Sequence, residues 1–260
     1  MTNGQVRSVA RGNRLLAALP AADAEKLLLG LRHVILPNER VLLAPRQTVQ
    51  YAYFPVDGAV SLLMIMEDGT PVEVATVGSE GFVSVESILS TDQSPYEVIC
   101  QTEVEALRAD VADLRAAFRA SEPLRDVLLR YAAVVFSCTG RSVACKVTHP
   151  VEQRLARWLL MTRDRIRADE LPLTQDTLAR MLGVHRPTIS EAAEALRARG
   201  LIAYRRGKIA ITDRPGLEQA SCEHYAEFRQ VFEQLLGPAP GPRSTEAAGP
   251  SQYPPGRLSG

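Results

Sequence analysis

The chain has 260 residues, 46% of them hydrophobic and 23% charged, which is enough for two domains with separate cores. Thirty Lys and Arg balance thirty Asp and Glu, so the net charge implies no global attraction to a polyanion. Four cysteines, at 100, 138, 145 and 222, form neither CxxC pairs nor a disulfide framework, a usage that points to a reducing cytoplasm.

Near the N-terminus a five-residue apolar run ends at Pro20, too short for a secretory core, and no segment reads as approaching a membrane span. Residues 13–19 and 22–31 read as short helices. The period then changes to two. Runs at 34–36, 40–44, 51–55, 58–66, 71–77, 97–100 and 102–108 are separated by Asp57-Gly58, Asp68-Gly69 and Gly78-Ser79-Glu80-Gly81 turns, which predicts a β-roll or jelly roll. The GSEG stretch lacks the lysine and the strand-to-helix context of a phosphate loop and reads as a turn. Between Arg46 and Arg108 there is no Lys or Arg, while acids recur from Asp57 to Glu105. This half is locally acidic.

Residues 109–120 form a helical connector. Ser121, followed by Glu122 and Pro123, opens a helix that runs to about Thr148, before Pro150. Along it Leu124, Val127, Leu128, Tyr131, Val134, Val135, Cys138 and Arg141 recur at threes and fours. That stripe exceeds what one small domain covers, so its expected partner is a symmetry mate. Cys138 and Cys145, seven apart, share a face as packed apolar residues or as a redox contact across the dimer. The next helix, 151–167, carries Leu155, Trp158, Leu159 and Thr162 on one face.

Residues 173–211 read as two short helices, a glycine turn and a basic hairpin. Thr174 stands at a cap, and Leu178, Ala179 and Leu182 follow at helical spacing. Gly183 supplies the turn, and Val184 and Ile189 fill the space between the helices. Pro187 costs nothing in the first turn of the second helix, which runs from about Arg186 to Arg199. Ile189, Ala192, Ala193 and Leu196 make its inward stripe and leave Arg186, Thr188, Ser190, Glu191 and Glu194 outside. Arg186 has the planar fork that pairs with guanine O6 and N7. Thr188 and Ser190 suit phosphate or a thymine methyl, and Glu191 suits a cytosine amino group or the orientation of Arg186. The following strand, turn and strand bear Arg205, Arg206 and Lys208, a wing placed to touch phosphate. Double-stranded DNA is therefore the expected partner, and Thr174, Gln175, His185, Arg186, Thr188, Ser190, Glu191, Arg205, Arg206 and Lys208 are the candidate contacts. Residues 215–235 read as one last amphipathic helix and 237–260 as a disordered tail.

This order of parts resembles the Crp/Fnr (catabolite-activator-protein-like) family of bacterial transcription regulators. The resemblance covers about residues 15–236 and is most specific in 174–199 and in the GSEGF sequence at 78–82. It implies an α+β chain with a cyclic-nucleotide-binding-like sensor β-roll at 1–120, a dimerisation helix at 121–149, a winged helix-turn-helix at 150–236 and the tail. It also implies a cytoplasmic homodimer on a near-palindromic operator, in contact with RNA polymerase and with no membrane.

In members that bind cyclic nucleotides, a Gly-Glu pair holds the ribose and an Arg-Ser pair the phosphate. Counted from Phe82, those places fall on Ser84, Val85, Pro95 and Tyr96, which supply neither a ribose acceptor nor a phosphate cation. Cyclic AMP is thus not the expected effector unless Arg130 or Arg141 reaches in. The effector stays unknown and no cofactor is expected. With no cysteine before Cys100, the iron-sulfur centre of the family's oxygen sensors is unsupported. A haem or thiol sensor is the alternative, but His33, Met64, Met66 and Cys100 show no ligand spacing. Cys222-Glu223-His224 is half a metal site without a second pair, so a structural role is expected and no metal. A cupin-like metalloenzyme would have only His33 in the β region, and nucleophile-elbow, HExxH and P-loop motifs are missing, so no catalysis is expected. A dimeric scaffold that does not bind DNA is opposed by Arg186, Arg205, Arg206 and Lys208.

Overall fold

The computed structural model describes residues 3–236 other than Ser90, Arg167, Arg206 and Gly207, and no side chain is described for Asn3 or Arg205. The proposed tail lies outside these residues. Three short helices lead: α1 (Asn3–Ala10), α2 (Arg14–Ala17) and α3 (Ala21–Leu28). Asn13 caps α2 by accepting from Leu16 N at 3.1 Å and donates to the Pro55 and Gly81 carbonyls at 2.7 and 2.8 Å. A fully buried amide so satisfied fixes the N-terminal helices onto the β-roll.

That roll comprises β1 (Arg32–Leu36), β2 (Val41–Leu43), β3 (Tyr51–Asp57), β4 (Val60–Ile65), β5 (Pro71–Val77), β6 (Glu97–Cys100) and β7 (Val104–Asp110). They form two antiparallel sheets, ordered β1-β7-β3 and β2-β6-β4-β5. Their inner faces meet in a core that includes Val60, Val77, Val83, Val98 and Val104.

After α4 (Val111–Ala120), the long helix α5 (Glu122–Thr148) starts where the Ser121 side chain accepts from Leu124 N at 3.2 Å. The stripe expected to face a symmetry mate is turned inward instead. Leu124, Leu128 and Tyr131 are at most 2% exposed and join Phe54, Phe82 and Leu107 in the core, with Val127 and Val135 packed against it. Periodicity finds an apolar face but not its partner, and this face is taken by the chain's own β-roll. A second apolar stripe, at 4-3-4-3-4 spacing, is exposed: Leu129, Ala133, Phe136, Gly140, Val143 and Val147, with Phe136 and Val147 more than 80% accessible. Because both faces are apolar, α5 is long and apolar enough, by length and composition, to cross a membrane, contrary to the sequence expectation that no segment is.

The C-terminal part consists of α6 (Val151–Ile166), β8 (Glu170–Leu171), α7 (Gln175–Leu182), α8 (Arg186–Ala198), β9 (Ile202–Arg205), β10 (Lys208–Ile211), α9 (Arg214–Ala220) and α10 (His224–Leu236). Strands β8-β10-β9 make a small antiparallel sheet, and Leu155, Leu159, Leu178, Ile189, Leu196, Ile209 and Leu217 fill the core. The single last helix expected from the sequence is two. Ser221 adopts extended backbone (ψ 163°), which ends α9 and turns Cys222 into the interior.

Candidate nucleic-acid interface

The helix-turn-helix follows from local chemistry. Thr174 caps α7, its hydroxyl accepting from Thr177 N at 3.1 Å, and Gly183 closes that helix in the left-handed region (φ 64°). Pro187 lies in the first turn of α8, where a missing amide donor leaves no broken hydrogen bond. Ile189, Ala192, Ala193 and Leu196 are all under 8% exposed, as the inward stripe requires.

On the opposite side His185, Arg186 and Glu191 are exposed, and Thr188, Ser190 and Gln175 are half-buried. Arg186 Nε lies 3.4 Å from Asp176 Oδ1, and Lys208 Nζ on the wing lies 3.5 Å from Glu170 Oε2. Both pairs are more than half exposed on the cation's side, so water competes with them and they hold their cations weakly. Three other candidates are engaged within the fold. Thr174 is occupied as the cap, and the Ser190 hydroxyl donates to Gln175 Oε1 at 2.8 Å, bracing α8 against α7. Gln175 Nε2 also approaches the Tyr204 hydroxyl at 3.5 Å, linking α7 to the wing. Arg206 and the Arg205 side chain lie outside the described residues. Exposed Tyr204 adjoins this surface through Gln175, and nothing in the sequence marks it, because it stands at no motif position.

The β-roll side of the domain junction is built on the GSEGF segment. A Cβ at Gly81 would collide with the buried Tyr131 ring, and one at Gly78 with the Arg165 stem. Glu80 Oε1 accepts from Arg165 Nε at 2.8 Å, and both side chains are almost fully buried. Nearby, Glu73 Oε1 accepts from Trp158 Nε1 at 2.8 Å and Oε2 from the Ser61 hydroxyl at 2.7 Å. Burial pushes the Glu73 carboxyl above the usual carboxylate range, against the lowering effect of these donors. At this junction the segment between Arg46 and Arg108, which has no Lys or Arg of its own, thus meets a cation from α6.

A cavity of about 80 Å³ lies at this junction, between β5, α5 and α6, with Phe82, Tyr131, Trp158 and Cys138 among its walls. Ser84 and Val85 line it, and the Ser84 hydroxyl donates to the Tyr51 carbonyl at 2.9 Å. Arg141 does not reach in. It donates to Glu227 Oε2 at 2.8 Å, while Arg130 is exposed. Cys138 faces this cavity, and burial pushes its thiol up to about 12.

Cys145, like Cys138, is turned into the chain's own fold and not outward towards a symmetry mate. It is fully buried, with its Sγ 3.5 Å from Cys222 Sγ of the same chain. Contact with Cys222 holds the Cys145 thiol below its usual range, and the same contact pushes Cys222 up. His149 and His224 complete the group. All four donor atoms lie within 4.8 Å of one another, which corrects the expectation that Cys222 and His224 have no second ligand pair. One helical turn on α5 and a break near the C-terminus meet only in the fold, so sequence spacing does not link them. His33, by contrast, is paired with Glu105 at 2.9 Å, on a strand of the roll.

Residues 153–220 match the family model of the Crp-like helix-turn-helix domain, and residues 33–121 that of the cyclic nucleotide-binding domain. The global nitrogen regulator of Nostoc sp. (strain PCC 7120) is 24% identical over 184 residues, spanning 67% of this chain and 82% of that protein. The same regulator from Synechocystis sp. (strain PCC 6803) is 24% identical over 192 residues, spanning 70% and 85%. In fold, the chain is similar to a CRP/FNR-family transcriptional regulator from Thermus thermophilus, with TM-score 0.62, 22% identity, and coverage of 73% of this chain and 98% of that one.

Proposed function

Because this chain belongs to the Crp/Fnr family of DNA-binding transcription regulators, we propose that it works as a homodimer on a near-palindromic operator. The reading is carried by α8, whose outer side presents Arg186 to solvent with only a weak competitor, Asp176. Arg186 reads guanine in the major groove, Glu191 orients it or takes a cytosine amino group, and Thr188 contacts phosphate. His185 sits at the N-terminal end of α8, Gln175 and Ser190 hold the two helices in register, and Lys208 with Arg205 and Arg206 binds the flanking backbone. RNA polymerase is the further partner that the family implies.

The dimer forms through the exposed stripe from Leu129 to Val147. Its alternating spacing of four and three is that of a two-stranded coiled coil, and it would cover Phe136 and Val147, which a monomer leaves in water. The effector is not cyclic AMP held in the family manner. This is supported by Ser84, Val85, Pro95 and Tyr96 at the nucleotide-holding positions and by the engagement of Arg141 with Glu227.

Selection of genomic DNA by the purified chain, with and without cyclic AMP, tests the reading. Recovery of a palindrome without the nucleotide is expected, and its loss in Phe136→Glu together with a shift to monomer. Enrichment only with cyclic AMP would overturn the effector assignment. A Phe136→Glu dimer of unchanged stability would overturn the interface.

A further inference from the structure

The last turn of α5 carries Cys145, and His149, four residues on, is the capping residue just past the helix, before the Pro150 junction. The break between α9 and α10 brings Cys222 and His224 against them. The two sulfurs are 3.5 Å apart, Cys222 Sγ is 3.8 Å from His224 Nδ1, and the imidazole rings meet edge to face with centroids 5.2 Å apart. A tetrahedral ion with bonds of about 2.3 Å to sulfur and about 2.0 Å to nitrogen sets its ligand atoms roughly 3.3 to 3.8 Å from one another. The sulfur–sulfur and sulfur–nitrogen contacts already fall in or at the edge of that range, and the remainder, within 4.8 Å, need only small side-chain adjustments.

The surroundings point to the same occupant. His149 Nε2 is 3.2 Å from Glu223 Oε2, a carboxylate partner of the kind that orients a ligating imidazole. Two thiolates and two imidazoles, with no carboxylate or carbonyl in the set, select a borderline-soft ion such as Zn²⁺ over Mg²⁺ or Ca²⁺.

We propose that Cys145, His149, Cys222 and His224 form a tetrahedral site for a zinc-class divalent cation that clamps the end of α5 to the C-terminal helix of the DNA-binding domain. Binding releases the thiol protons that remain and changes no oxidation state. The clamp spans the Pro150 junction. If the proposed DNA reading holds, the ion therefore also fixes the angle at which α8 leaves the dimer helix.

The test is metal analysis of the full-length chain purified under reducing conditions, followed by titration of the chelator-stripped protein with Co²⁺. About one ion per chain is expected, with thiolate-to-cobalt absorption and the visible bands of a tetrahedral ion. Cys145→Ser with Cys222→Ser should abolish these signals, His224→Gln should weaken binding by roughly 10-fold or more, and Cys138→Ser should leave it intact. If the double variant does not fold, the Co²⁺ titration of the wild-type chain still decides. Stripped wild-type protein that gives no tetrahedral cobalt spectrum, or a Cys145–Cys222 disulfide in the reduced preparation, would overturn the site. A chain that takes up the ion but selects no operator would uphold the site and overturn the DNA reading.

Discussion

On the outer face of the helix-turn-helix, Arg186 and Lys208 rest in water at 3.4 and 3.5 Å from Asp176 and Glu170. Beneath the same domain, Arg165 meets Glu80 at 2.8 Å with both side chains almost fully buried. The chemistry is the same and the consequence opposite. In water the pairing is worth about 0 to 1 kcal/mol, so an exposed cation exchanges readily to a phosphate or a base. In the interior, losing one partner strands a charge, so the buried pair acts as a lock between the β-roll and the DNA-binding domain. Glu73, holding Trp158 and Ser61, belongs with the lock.

The largest effect should come from the lock. Arg165→Met leaves Glu80 buried without its cation, and denaturant unfolding should record a loss of about 3 to 5 kcal/mol. A loss as small as that of a surface pair would erase the distinction between the two regions. On the outer face, Arg186→Ala should leave unfolding unchanged, cost about 1 to 3 kcal/mol of operator binding and relax the base preference, as read by a panel of single-base operator variants. Unaltered affinity would remove Arg186 as the leading contact. Lys208→Ala should weaken all sequences alike and reduce the slope of log affinity against log salt by about one, which a salt titration of binding measures.

The smallest effect concerns Glu73. Burial raises its pKa in the fold, so its contribution to stability is full below the ordinary carboxylate pKa and is lost as pH rises through the raised value. Glu73→Gln keeps an acceptor for the Trp158 N–H and removes the charge. Its stability relative to wild type should therefore grow across that pH window, and parallel curves would show that the carboxyl is not buried in solution.

Much of this organisation was legible in the sequence. Local rules placed Ser121 and Thr174 at caps, Gly183 in the turn and Ile189, Ala192, Ala193 and Leu196 in the core, because capping, glycine geometry and helical period act over a few residues. The alternating runs between residues 34 and 108 likewise gave strands close to those observed. The misplacements have one cause. In α5 both sides are apolar, and period alone does not say that Leu124, Leu128 and Tyr131 meet Phe54 and Phe82 while Phe136 and Val147 stay outside. The last helix was read through Ser221 because nothing in its spacing signals a break, and that break aims Cys222 inward.

The sequence by itself determined most of the helices and strands and which side chains of α8 face away from its core. Both follow from propensity and period along the chain. Only the tertiary structure decided what each apolar face covers, which arginine neutralises Glu80, and that Cys145 and His149 meet Cys222 and His224. Cys145 and Cys222 are 77 positions apart and Glu80 and Arg165 are 85 apart, separations at which packing of whole elements, and not local chemistry, sets the distance.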